Sequence, residues 1–287
     1  LRLRFESPRP LEKIFSVTSA LQNAVTLGVN APSPITKLTL WHEDLMRTAP
    51  SGEPRHEPIE LMVTMQGADV ADSSGAIHSH EMLFTFADLG GLPGLAHWLD
   101  AAQQFEPVLG ALLAHQYMPR MYSENRLQNA SFAAESFDRI RFDNRVEPKK
   151  TFKERLSRLV EAVPEDDRHW LKERLQYSNE PRLHVRLLRL AAHAGAPFDA
   201  LVGDVESWAK DVRSARNATV HRDGKRAAPD GTSLYLLAQS IYFLVALCLL
   251  RECHVNDETI AKVKDHRQFD WLREQLAALD TEAGPGF

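Results

Sequence analysis

The most reactive pairing in the chain is an arginine and a histidine, which stand at the two ends of the stretch Arg216-Asn217-Ala218-Thr219-Val220-His221. The guanidinium of an arginine is planar and permanently charged, and it suits a phosphate group. The histidine side chain ordinarily titrates near neutrality and carries protons to and from a substrate. Together they supply what metal-free cleavage of RNA requires. Arg216, His221 and the intervening Asn217 are therefore the candidate catalytic residues.

An amphipathic helix is predicted to present this pair. When the chain turns by about 100° per residue, six side chains of residues 199–220 fall within roughly 40° of one line and form a core face. These six are Leu201, Val205, Trp208, Val212, Ala215 and Thr219. His221 then lies about 140° from Arg216, so the two could not grip one phosphate on a straight helix. Either the helix ends near Val220, or two copies of the chain contribute the site.

The hydrophobic pattern changes along the chain from the period of strands to that of helices. Strand-like stretches occur at residues 1–6, 35–41, 59–65 and 82–86, with one helical pattern at residues 11–27. From Leu92 onward apolar residues recur at helical spacing, and we find no convincing strand. The fold class predicted is an α+β N-terminal domain followed by an all-α bundle.

The predicted domain organisation has three parts. Residues 1–110 form the α+β domain, residues 111–280 form the helical bundle, and residues 281–287 form a disordered tail. The chain begins with Leu1 and already within a strand-like stretch. We therefore expect the N-terminal domain to be truncated at its start.

Two predictions concern helices of the second half. Thr151 and Glu154 have the spacing of a capping box, so a helix should begin at Thr151. Residues 234–250 are apolar, but the run is short for a membrane span and contains Gln239 and Ser240. A buried core helix is therefore favoured over a membrane span.

The composition is that of an ordinary globular protein. The chain has 287 residues, of which 44% are hydrophobic and 25% charged, and its net charge is −5. This overall balance does not indicate a nucleic-acid partner. Cys248 and Cys253 lie on different faces of one predicted helix, which argues against a disulfide and fits a reduced cytoplasm. We find no signal peptide at the start of the chain.

Basic residues are nevertheless concentrated between residues 139 and 158. Five of them form the candidate RNA-binding patch: Arg139, Arg141, Arg145, Lys149 and Lys150. Such a patch neutralises backbone phosphates. The same run also fits a solvated helix surface that binds nothing.

Three other motifs are weaker. His78 and His80 could place two imidazoles on one face, but no third metal ligand is in evidence. The glycine-rich residues 90–94 lack the Gly-Lys-Ser/Thr of a phosphate loop. The two cysteines have no histidine at a helpful spacing. We expect neither metal nor cofactor, and the strand-rich first third is interpreted as a sensor or scaffold.

The hexad at residues 216–221, at the end of an amphipathic helix and followed by an apolar helix, resembles the motif of HEPN-domain ribonucleases. Two upstream pieces, at residues 131–137 and 151–156, look like the Apea-like HEPN group of antiphage proteins. The preceding region, with residues 11–27, residues 84–86 and Trp98, is similar to the N-terminal domain of that group. The resemblance spans nearly the whole chain.

The resemblance implies a helical bundle that forms a homodimer and sets two hexads face to face across a composite cleft. It implies a metal-independent endoribonuclease of the cytoplasm that acts in abortive infection without a cofactor, with RNA as substrate and a phage-derived trigger. Arg216 and His221 match the ends of the motif, and Asn217 matches its polar position. Glu135 matches an acidic position on the first helix of the bundle.

Arg213 and Arg222 flank the hexad as candidate supporting residues. Structural roles stay open as well: Arg216 and Asn217 could cap helix carbonyls, and Glu135 could form a buried salt bridge with an arginine. The competing functions are a non-catalytic HEPN module that binds nucleic acid or a partner protein, and a dimeric structural module.

Overall fold

The computed structural model describes residues 2–61, 77–118, 120–220 and 230–283. It is mostly helical, with short strands near the N-terminus, as the predicted fold class requires. Strand β1 (Leu38–Leu40) pairs antiparallel with β4 (Ile59–Leu61), and β2 (Met46–Thr48) pairs antiparallel with β3 (Pro54–His56). The helices are α1 Leu11–Val29, α2 Gly91–Gln104, α3 Glu106–Tyr117, α4 Ser123–Arg141, α5 Lys149–Glu161, α6 Glu165–Leu175, α7 Leu183–Ala194, α8 Ala196–Val202, α9 Val205–Val220, α10 Gly231–Glu252, α11 Asp257–Lys262 and α12 Arg267–Ala283.

The strand predictions are confirmed only in part. β1 and β4 lie within two of the predicted stretches, but residues 2–6 and 82–86 form no strand. Leu83 and Phe84 are both buried, so this segment does not alternate between two faces as a half-buried strand does. It docks on α1 instead, where the amide of Leu83 donates to the carbonyl of Gly28 at 2.8 Å. A Cβ at Gly28 would lie 3.0 Å from the carbonyl oxygen of Phe84, which explains the glycine.

The strands β2 and β3 were not predicted. They form a hairpin whose strand residues are all exposed, in a stretch of the sequence that contains Pro50, Gly52 and Pro54. Because no side chain of the two strands enters the core, their hydrophobic pattern carries no period of two.

Helix α3 joins the N-terminal part of the molecule to the bundle. It contacts α1 and, more extensively, α4, and its buried residues include Val108, Leu109 and Leu112. The boundary predicted at residue 110 falls within this helix, and the buried core continues across it. The division of the chain into domains stays a prediction.

Helix α10 forms the centre of the bundle, surrounded by α4, α7 and α12. Its N-cap is Asp230, whose carboxylate accepts from the amides of Thr232 at 2.8 Å and Ser233 at 3.0 Å. The helix is long and apolar enough to cross a membrane, but 78% of its most apolar window is buried inside the protein. Ser240, a polar residue within it, accepts from the indole of the buried Trp208 at 2.8 Å.

The helix predicted over residues 199–220 consists of two helices, α8 and α9. The backbone breaks at Gly203, where φ is +68°, a conformation that glycine adopts without strain. Asp204 then starts α9, because its carboxylate accepts from the amides of Glu206 at 3.0 Å and Ser207 at 3.1 Å. The prediction of one continuous helix is therefore wrong, although Leu201 and Trp208 are both buried as predicted.

Helices α5 and α6 form a hairpin with no buried residue. Its base is joined by the side chain of Asn179, which accepts from the amide of Glu147 and donates to its carbonyl, both at 3.0 Å. The capping box predicted at Thr151 does not start α5. The helix begins two residues earlier, after Pro148, whose carbonyl accepts the first helical bond from Phe152 at 3.0 Å.

The C-terminal helix α12 continues to Ala283. The predicted disordered tail therefore starts too early, since residues 281–283 still belong to this helix. The rest of that tail, residues 284–287, lies outside the described residues.

Candidate functional site

Arg216 lies on the last described turn of α9, at the edge of the helix's buried face. Trp208, Val212 and Ala215 pack this face into the bundle, as the spacing predicts. The side chain of Arg216 keeps 34% of its surface exposed. An arginine in this position has its stem held by the helix while its guanidinium faces solvent.

The guanidinium of Arg216 lies beside Glu135 of helix α4. Its Nη2 atom is 3.8 Å from Oε1 of the carboxylate, whose side chain is 25% exposed. The structural role expected for Glu135, a salt bridge with an arginine, is thus realised, although the pair is partly exposed rather than buried. Because the contact is longer than a hydrogen bond and a guanidinium has five N–H donors, Arg216 retains donors for an anion.

A second contact fixes the same two helices against each other. Gln128 on α4 donates to the hydroxyl of Thr219 on α9 at 3.0 Å, and that hydroxyl donates to the carbonyl of Arg216 at 2.8 Å. Residue 216 thus lies near residue 135 and residue 219 near residue 128, so the two helices run antiparallel here. Tertiary packing brings together an arginine and a glutamate that are far apart in the sequence.

Arg213 and Asn217 lie on the exposed side of α9, next to Arg216. Arg216 and Asn217 follow Arg213 by three and four residues, which places the three side chains within about 100° of arc around the helix axis. The last two described turns of α9 therefore present two guanidinium groups and one carboxamide toward the same side. Each of these groups hydrogen-bonds phosphate oxygens in proteins.

His221 and Arg222 lie outside the described residues, which stop at Val220 and resume at Asp230. The predicted arrangement of Arg216 with His221 therefore stays a prediction. The same holds for the prediction that the helix ends near Val220.

The five residues of the candidate RNA-binding patch lie at the end of α4, in the following loop and in the first turn of α5. Three of them face acids: Arg139 contacts Glu180 at 3.0 Å, Arg141 contacts Glu252 at 2.7 Å, and Arg145 lies 4.0 Å from Asp143. Lys149 and Lys150 are exposed at the start of α5.

Within this patch, Arg139 is the member closest to Arg216 along helix α4. It follows Glu135 by one helical turn, so the two side chains project from neighbouring positions on the same face. The charge of Arg139 is opposed by Glu180, and the two lysines belong to a different helix, α5.

A buried ion cluster next to the site was not predicted. Asp138 on α4 has no exposed surface and accepts from Arg186 Nη1 at 2.6 Å and from Arg189 Nε at 2.7 Å and Nη2 at 2.5 Å. These bonds join α4 to α7. The signal available in the sequence was an acid at a core position of α4, four residues after the buried Ala134.

A second unpredicted cluster contains a histidine. His193 Nε2 lies 2.9 Å from Oε1 of Glu252, which also accepts from Arg141 Nε at 2.7 Å. Burial lowers the pKa of His193, while the carboxylate of Glu252 acts in the opposite direction. The imidazole packs edge-on against Phe142, so we assign this histidine a structural role in the bundle.

The weaker motifs form no reactive centre among the described residues. His78 and His80 stack on each other with ring centroids 5.6 Å apart, and no group of potential metal ligands occurs in the described parts of the chain. Cys248 and Cys253 are buried free thiols. Burial raises the pKa of Cys253 to about 12 and that of Cys248 further, which suppresses the thiolate at neutral pH.

Comparison with protein families matches residues 129–259 to the family model described as Apea-like HEPN. The matched region starts within α4 and ends within α11, so it contains Glu135, the buried ion cluster and the whole of α9. No curated protein and no solved structure matches the chain.

Proposed function

Because residues 129–259 of this chain form an Apea-like HEPN domain, we propose that the protein is a metal-independent endoribonuclease. HEPN domains are associated with nucleic acids in general, and many of them are ribonucleases. The proposal extends to a cytoplasmic role in abortive infection, in which a phage-derived trigger releases the activity. The first third of the chain is assigned the sensing or scaffolding part of that role.

The observation that carries the proposal is the setting of Arg216. Its guanidinium is partly exposed, is held 3.8 Å from Glu135, and has Arg213 and Asn217 exposed beside it on α9. Glu135 orients the guanidinium without occupying all of its donors. A phosphate diester approaching this side would meet the free donors of Arg216 first.

In the proposed reaction the 2′-hydroxyl of the RNA attacks the neighbouring phosphorus. The O2′–P bond forms as the P–O5′ bond breaks, which leaves a 2′,3′-cyclic phosphate and a 5′-hydroxyl. His221 accepts the proton of the 2′-hydroxyl or supplies one to the leaving oxygen. Arg216 stabilises the charge that builds on the phosphate oxygens, and Asn217 orients the histidine or donates to the phosphate.

The proposal places the complete site in a homodimer. On a continued straight helix His221 would lie about 140° from Arg216, so one copy alone would not present both groups to one phosphate. Two copies that face each other through the HEPN bundle would offer two hexads to a shared cleft. Light scattering at micromolar concentration tests this part, and a monomer that cleaves RNA would contradict it.

The cleavage proposal is tested with RNA and with DNA of the same sequence. We expect the wild type to cleave RNA but not DNA, which lacks the 2′-hydroxyl. Arg216→Ala and His221→Ala should each lower cleavage by about a hundredfold or more, the usual loss when one transition-state donor is removed. Arg55→Ala, which removes an exposed arginine from β3, is the matched control. Full activity of both site variants would contradict the mechanism.

A non-catalytic HEPN module is the second candidate, and the Arg216–Glu135 contact gives it a specific basis. The same ion pair fits a structural role in which Arg216 only joins α9 to α4. In that case the wild type binds RNA without cleaving it under any trigger. Arg216→Ala then alters the thermal stability of the protein and leaves the RNA intact, as the wild type does. Analysis of the RNA ends for a cyclic phosphate separates the two candidates.

A further inference from the structure

Phe132 is an exposed aromatic residue on the helix that carries Glu135. Its side chain is 57% exposed, whereas the neighbouring Ala133 and Ala134 are fully buried. Exposure of a ring to this extent limits what the ring contributes to folding, because more than half of its surface stays in water. The role of the Phe132 ring therefore depends on its position relative to Arg216.

The helical spacing places Phe132 beside the contact between α4 and α9. It lies four residues after Gln128 and three before Glu135, so its Cβ atom is a surface neighbour of both. Gln128 contacts Thr219 at 3.0 Å, and Glu135 contacts Arg216 at 3.8 Å. The ring of Phe132 thus stands between the two points where α4 contacts the end of α9.

Charged and polar groups surround this ring. Arg216 and Arg213 lie on α9, the helix that Gln128 and Glu135 contact, and Arg139 lies two turns further along α4 on the same face. Single-stranded nucleic acid is bound in general by such a combination, in which cations contact the phosphates and an aromatic ring stacks on a base. A protein partner would call for a wider apolar patch than one ring among arginines.

We propose that Phe132 is a base-stacking residue, which holds the nucleobase next to the phosphate bound by Arg216. This inference rests on the proposed function and adds a substrate class to it. The substrate is RNA whose bases are unpaired at the cleavage site, since a base within a duplex is already stacked on its neighbours. Phe132 positions the strand and takes no part in the proton transfers.

The test measures binding to two oligonucleotides that differ only in their bases. One is a single-stranded 2′-O-methyl RNA, which resists cleavage because its 2′-oxygen carries no proton. The other is a sugar-phosphate oligomer of the same length with no bases. Binding of the full-length chain to each is followed by fluorescence anisotropy for the wild type, Phe132→Ala, Phe132→Trp and Arg216→Ala.

We expect Phe132→Ala to weaken binding of the base-bearing strand by about five- to a hundredfold, the range for loss of one stacked base. Binding of the abasic oligomer should not change. Phe132→Trp should restore binding of the base-bearing strand, and Arg216→Ala should weaken binding of both strands. Phe86→Ala removes a phenylalanine that is 55% exposed outside the HEPN region, and it should have no effect on either strand.

Three outcomes overturn the inference. An equal loss of affinity for both strands would show that Phe132 acts through the packing of α4 on α9. Unchanged affinity for both would show that Phe132 does not contact the strand. Dissociation of a wild-type dimer into monomers by Phe132→Ala would show that the ring lies between two copies of the chain. Failure of the proposed function is distinct, because it shows as an unmodified RNA of the same sequence that the wild type binds but leaves uncut.

Discussion

Replacing Asp138 by asparagine removes the negative charge from the centre of a buried cluster of two arginines. Asp138 has no exposed surface, and Arg186 keeps only 2% of its own. The carboxylate accepts three charged hydrogen bonds, of 2.6, 2.7 and 2.5 Å. An asparagine has a similar shape, but its NH₂ group would face an N–H donor. Arg186 would therefore be left buried with too few acceptors.

The expected loss of unfolding free energy is about 3–5 kcal/mol, the cost of breaking a buried ion pair from one side. Arg186 retains three other acceptors: the carbonyl of Pro181 at 3.0 Å and the side chains of Asn144 and Glu180. Because these acceptors remain, we expect the loss of unfolding free energy to lie near the lower end of this range. This is a large share of the 5–15 kcal/mol that stabilises a typical protein.

Urea denaturation followed by far-UV circular dichroism measures the effect of Asp138→Asn. The matched control is Asp143→Asn, because the Asp143 carboxylate is 70% exposed and lies 4.0 Å from Arg145. Its loss should stay below about 1 kcal/mol. The double variant Asp138→Leu with Arg186→Met removes the charges of Asp138 and Arg186 together, and it should be more stable than Asp138→Asn. A loss below about 1 kcal/mol for Asp138→Asn would refute the assignment of a stabilising buried pair.

Two further predictions concern the pH dependence and the packing of the N-terminal region. Burial, with a smaller contribution from Arg126, lowers the pKa of His115 from 6.5 to about 4. The unfolded chain then binds more protons than the folded one between about pH 6.5 and pH 4, so stability should fall by up to about 3 kcal/mol as the pH is lowered through this window. Denaturation at several pH values should show a smaller fall for His115→Gln, and an identical profile would contradict the shift. Gly94→Ala should unfold or strongly destabilise the protein, because the new Cβ would lie 1.6 Å from the carbonyl oxygen of Leu89. Thermal melting measures this effect. The control is Gly110→Ala, because open space surrounds the new Cβ at that position.

The helical core of the bundle could be predicted from the sequence because it follows from local periodicity. Trp208, Val212 and Ala215 recur at the spacing of a helix face, and all three are buried. The apolar run of α10 was likewise assigned to the core, where it lies. The break between α8 and α9 at Gly203 was not predicted, although glycine acts locally. The apolar pattern continues across Gly203, so the pattern alone indicated one continuous helix.

The N-terminal region was harder to predict because its elements are short and few of their side chains alternate. The strands β2 and β3 are exposed on every residue, and residues 82–86 are held by docking on α1 rather than by strand pairing. Both outcomes depend on contacts with distant parts of the chain. A local pattern does not report such contacts.

The sequence by itself determined the residue types of the candidate site, the helix that carries Arg216, and the resemblance to the HEPN group, all of which rest on local order along the chain. Only the tertiary structure decided that Arg216 lies 3.8 Å from Glu135 and that Phe132 is more than half exposed. It also revealed the burial of Asp138 between two arginines. The physical reason is that the antiparallel packing of α4 against α9, together with the packing of α4 against α7, sets these distances, and packing between helices depends on side chains far apart in the sequence.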